Sequence, residues 1–149
     1  MLASILQSEH IQVADHVADW QTAIRQAAQP LLDDGYFESK YVDDMIESVE
    51  GLGPYIVIAP EIALAHARPQ PYVHHVGLSL LKLTHAVHFS DGGHPASLIF
   101  VLSAVDEKAH LVLLQKLSKV LGDKEKVAQL REATEVAQII NVIKGEVEK

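Results

Sequence analysis

In residues 19 to 35, DWQTAIRQAAQPLLDDG, apolar positions recur at helical spacing. Ala23, Ala27, Leu31 and Leu32 share one stripe, with Asp19 ahead of it as an N-cap and Gly35 behind it as a stop. Pro30 removes a backbone donor inside that stretch and predicts a kink or an early end. FESKYVDDMIESVEGLG repeats the pattern with Val42, Met45, Ile46 and Val49; Ser39 is its expected N-cap, and Gly51 and Gly53 its end. The period then changes. PYIVIAP (54–60) and IALAH (62–66) are short and apolar and predict two strands, the first of them buried. VGLSLLKL (76–83) predicts a third strand, HAVHF (85–89) an arm that pairs with it, and SDGGHP a turn. ASLIFVLSA (96–104) is the longest strongly apolar run and predicts a central strand buried on both faces.

Three helices follow. VDEKAHLVLLQKLSKVLGD has Asp106 as N-cap, Gly122 as stop, and Leu111, Leu114, Leu117, Val120 and Leu121 as its expected buried stripe. DKEKVAQLREA starts from Asp123, and TEVAQIINVIKG runs from a Thr134 cap to a Gly145 stop. Strands grouped between helices predict an α/β fold: a mixed sheet of about five strands, flanked by helices on both faces. No linker or internal repeat divides the chain, so residues 1–149 are expected to form one domain.

A chain of 149 residues is long enough to bury a continuous core. Its 20 acids against 12 bases leave a net charge of −8, which argues against nucleic acid or an anionic membrane as a bulk electrostatic partner. With no cysteine there is no disulfide frame, thiolate metal site or cysteine nucleophile. No segment supplies the roughly 18 consecutive apolar residues of a membrane span. MLASILQSEHIQVADH lacks a basic leader, so a cytoplasmic protein is expected.

Nine histidines are many, and their placement matters more than their number. His66 ends an apolar run, with Arg68 and Pro69 just beyond it. A lone histidine there is more often a packing residue, but a stiff backbone could also direct one ring nitrogen outward while the other donates to a carbonyl. An imidazole so held is a nucleophile. His110 lies about one turn past the Asp106 cap, where helix amides attract anions. It is either a solvated first-turn residue or a partner for such an anion. These two histidines with Arg68 suit a phosphoryl group better than a metal. His74 and His75 are adjacent, and His85 and His88 would face opposite ways on a strand, so neither pair has zinc-ligand spacing. No cofactor or metal is called for, and no GxxxxGK loop for a nucleotide occurs. A histidine-rich metal-binding module stays open as the weakest alternative.

GPYIVIAPEIALAHARP closely resembles the active-site segment of enzyme IIA of bacterial sugar phosphotransferase systems, of the mannitol/fructose class and above all its ascorbate-like branch. The resemblance extends over nearly the whole chain, through GYFESKYVDDMIE before the motif and H-x-x-x-L-x-x-L after the long strand. It implies a phosphocarrier in which His66 takes a phosphoryl group from phospho-HPr and passes it to a IIB cysteine, the membrane component IIC importing the sugar. The second histidine of the family falls on His110 and orients the phosphorylated ring. An IIA-like regulator, whose phosphorylation state controls a partner, is the alternative. Three positions depart from the pattern. Ala65 replaces a proline and relaxes the backbone that aims His66; Glu61 replaces a glycine and brings negative charge toward the expected phosphate; Ser48 stands where mannitol-type members carry arginine. Arg68 is the expected substitute cation. The acidic surface suits steering of a basic donor face, though it suits simple solubility equally well.

Overall fold

The computed structural model describes residues 5–54 and 56–148, the last four as backbone. A 3-10 turn at Ser8–His10 leads into β1 (Ile11–Ala14). Then come α1 (Trp20–Asp33), α2 (Ser39–Leu52), β2 (Val57–Ala59), β3 (Glu61–Ala65), β4 (Gly77–Ser90) and β5 (Gly93–Ser103). Helices α3 (Glu107–Leu121), α4 (Lys124–Glu132) and α5 (Val136–Glu148) follow. The five strands lie in the order β1-β4-β5-β3-β2. Pairing is parallel for β1 with β4 and for β3 with β5, and antiparallel for β4 with β5 and β2 with β3. The sheet is mixed and covered on both faces, as the order of elements predicts.

Side-chain alternation builds the two cores. In β5, Ile99 and Val101 face α1 and α2, while Leu98, Phe100 and Leu102 face the three C-terminal helices. In β3, Ala63 and Ala65 join the first core, and Ile62 and Leu64 the second. Residues Ala96–Ser103 are buried throughout, so β5 is the central strand that its composition predicts. Asp19, Asp106 and Asp123 cap α1, α3 and α4 by accepting from Thr22 N, Ala109 N, and both Glu125 N and Lys126 N respectively.

Several expectations are corrected. Helix α1 does not end at Pro30 but runs on to Asp33. The Gln26 carbonyl, which a residue-30 amide would otherwise bind, accepts instead from Gln12 Nε2 at 2.6 Å. Ser39 is the first residue of α2 rather than its cap, and the helix ends at Gly53, whose φ of +95° suits glycine. The segment 54–60 holds only a three-residue edge strand, with Ile58 51% exposed, so it is not buried; Tyr55 lies outside the described residues. Segments 76–83 and 85–89 are one strand, β4, whose register against β5 shifts between Lys82 and Val87.

In α3 the buried residues are Leu113, Leu117 and Val120, whereas Leu111 is 57% exposed. The unbroken apolar run at residues 111–114 makes both registers plausible in sequence. Helix α5 passes through Gly145 to Glu148, since an interior glycine weakens a helix without breaking it. Gln138 Oε1 accepts from the amides of Thr134 and Glu135 and from Thr134 Oγ1, so Gln138 rather than Thr134 supplies the acceptor at this helix start. Strand β1 has no signal of its own; four residues at a sheet edge are too few to show a period.

Candidate functional site

Parallel pairing of β3 with β5 carries Ala65 opposite Val101. The chain therefore leaves both strands at the same edge of the sheet, toward His66 from β3 and toward the Asp106-capped start of α3 from β5. His110 N donates to Asp106 O, which fixes the first turn of that helix. The two imidazoles come together with ring centres 5.3 Å apart and planes at 73°. They line a cleft of about 690 Å³ with Ala67, Arg68, Pro69, Glu107, Lys108 and Leu111.

His66 Nδ1 lies 3.0 Å from the Leu64 carbonyl oxygen. A carbonyl only accepts, so Nδ1 carries the proton and Nε2 keeps the lone pair. His110 is held below the usual histidine pKa, first by burial and next by the nearby His66, with Glu107 acting in the opposite direction. It is neutral at neutral pH. Arg68 and Lys108 bring positive charge to the cleft and Glu107 negative charge, while the Asp106 carboxylate caps the N-terminus of α3.

The structure thus brings together all three residues singled out in the sequence: His66, His110 and Arg68 line one cleft. It also adds Lys108 and Leu111, and behind the cleft Tyr41, which no pattern of charge or spacing marked. The buried Tyr41 hydroxyl donates to Leu102 O at 2.7 Å and accepts from Ala67 N at 3.1 Å. A tyrosine in a buried helical stripe needs a partner for its hydroxyl, and that was the available signal.

Glu61 requires correction. It begins β3, about 16 Å along the strand from His66 at ordinary strand rise. There it lines a separate cleft of about 300 Å³ with Thr84, Ser97, Arg131 and Glu132. Its carboxylate does not sit beside His66. Ala65 is fully buried against the α1/α2 side, and Ser48 is part-buried on α2. The four histidines weighed as metal ligands do not converge: His74 pairs with Glu38, His85 with Asp15, and His75 sets its ring against Tyr36, while His88 is exposed on β4. Among the described residues, no three His, Cys, Asp or Glu side chains converge to hold a metal ion. No helix among them is long and apolar enough to cross a membrane.

The chain is similar to known proteins over nearly its whole length. The chain is 33% identical over 142 residues to the mannitol-specific cryptic phosphotransferase enzyme IIA component of Escherichia coli K12, covering 95% of this chain and 97% of that one. The solution structure of the E. coli enzyme IIA of that name superposes with a TM-score of 0.90 over 97% of this chain and 98% of the other. The ascorbate-specific EIIA component of E. coli K12 is 28% identical, covering 94% of this chain and 92% of that one. At 23% identity, E. coli enzyme IIA for mannitol, solved in complex with phosphorylated enzyme IIB, has the same fold, with a TM-score of 0.83 over 95% of this chain and 99% of the other. Residues 4–146 match the phosphoenolpyruvate-dependent sugar phosphotransferase system, EIIA 2. With two histidines meeting where β3 and β5 end, and with this match over nearly its whole length, the chain belongs to that EIIA family of phosphotransferase components.

Proposed function

We propose that this chain is a cytoplasmic single-domain phosphocarrier whose His66 Nε2 accepts a phosphoryl group from phospho-HPr and passes it to a cysteine of a IIB component. The membrane component IIC then imports the sugar, ascorbate or a related compound. In the first step the Nε2 lone pair forms a bond to phosphorus as the donor's P–N bond breaks, and that electron pair returns to the donor ring. In the second, a IIB thiolate attacks phosphorus and the pair of the breaking P–N bond returns to Nε2.

The observation that carries this reading is the Nδ1 bond to Leu64 O, because it selects the nucleophilic tautomer before any partner arrives. Neutral His110, one ring away, has an N–H to offer a phosphoryl oxygen, while Arg68 and Lys108 offset its charge. The exposed Leu111 beside the histidines supplies apolar contact for a docking partner. Incubation with phosphoenolpyruvate, enzyme I and HPr should add one phosphate, stable to base and labile to acid, which His66→Ala loses. Full phosphorylation of His66→Ala protein overturns the proposal.

A further inference from the structure

Two backbone segments must stay in register for the histidines to meet: the exit from β3, which carries His66, and the end of β5, which leads into α3 and His110. One side chain touches both. Tyr41, on the first turn of α2, is 1% exposed. Its hydroxyl proton goes to the Leu102 carbonyl at 2.7 Å and its lone pair receives the Ala67 amide at 3.1 Å. Ala67 follows His66 directly, and Leu102 is the penultimate residue of β5, four positions before the Asp106 cap.

We propose that Tyr41 is a positioning residue for phosphoryl transfer, a buried crossbar that sets the His66 backbone against the strand leading to His110. The role of the histidines themselves rests on the reading above. Strand β3 ends on Ala65, a residue that does not restrict φ, and the Ala67 hydrogen bond to Tyr41 lies outside the strand and holds the turn that follows. The same helix secures the rest of the loop. Asp44, one turn on from Tyr41, accepts from Tyr72 Oη, and Glu38 N donates to Tyr72 O at 3.1 Å. Burial and the Asp44 carboxylate push the Tyr41 hydroxyl up to about 12, against the opposing Ala67 amide, so it remains a donor at working pH.

The test is Tyr41→Phe, which keeps the ring against Phe37 (centroids 4.9 Å apart) and removes only the oxygen. Expected are a transfer rate from phospho-HPr reduced on the order of tenfold or more, with little change in KM. Ring ¹⁵N shifts of unphosphorylated His66 should move from a single Nδ1–H tautomer toward a mixture. Val42→Ala, a packing loss in the same helix, should lower the melting temperature yet leave both readouts at wild-type values. Wild-type protein provides a test that needs no folded variant, since the Ala67 amide should be strongly protected from hydrogen exchange. Unchanged His66 shifts and rate in folded Tyr41→Phe, or an unprotected Ala67 amide, overturns the proposal. Because tautomer and exchange are read without phosphate, failure of wild-type phosphorylation would count against the carrier role and not against the crossbar.

Discussion

The rings of His66 and His110 meet edge to face, 5.3 Å between centres, although one follows β3 and the other lies on α3. This is close enough for one imidazole to direct a phosphoryl oxygen on the other, and for His66 to oppose protonation of His110. His110→Gln keeps a polar side chain but moves its donor, so transfer from phospho-HPr should slow on the order of 10²-fold. His66 should remain the phosphorylated residue. Rapid-quench measurement of transfer checks this, and an unaltered rate would remove His110 from the chemistry.

The depressed His110 pKa makes stability depend on pH in a definite direction. Burial and His66 disfavour the cation in the folded protein, while the unfolded chain titrates near 6.5. In the window below 6.5 and above the folded value the unfolded state binds more protons, so stability rises with pH there. The contribution is complete above 6.5 and falls as pH drops toward the folded pKa. Urea midpoints should therefore decline more on acidification for wild type than for His110→Gln, and parallel curves would refute the assignment. The His110 ring should also titrate below 6.5 by NMR.

Glu61 has φ +72°, a left-handed backbone that costs a residue with a Cβ about 1 kcal/mol or more. Glu61→Gly should relieve it and stabilise by up to about 1 kcal/mol, less the extra freedom glycine gains when unfolded. Because the position lies a full strand away from His66, the phosphoryl transfer rate should not change. Denaturant melts and a transfer assay on one variant examine both statements; a faster rate would mean that the charge is felt at the site after all.

The bond from Gln12 to the Gln26 carbonyl offsets what Pro30 takes from α1. Gln12→Ala should cost about 1–2 kcal/mol by leaving that carbonyl without a protein donor. In a Pro30→Ala background the residue-30 amide becomes available to the same oxygen, and the cost should shrink. A double-mutant cycle measures the coupling, with additivity as the contrary result.

Local patterns were legible wherever the interaction partners are close in the chain. Aspartate caps, helical stripes and the doubly buried β5 depend on residues a few positions apart, and the sequence by itself determined them. It also marked His66, His110 and Arg68, because a motif is local too. Tertiary structure decided which apolar residue of the 111–114 run turns inward, how Pro30 is tolerated within α1, and that β2 is an edge. It decided as well that Glu61 lies far from the paired histidines while Tyr41, unmarked by any pattern, stands behind them. Each of these depends on strand order and on parallel pairing of β3 with β5, which bring distant segments to one end of the sheet. Hydrogen bonds between such segments leave no periodic trace in the chain, so only the folded arrangement discloses them.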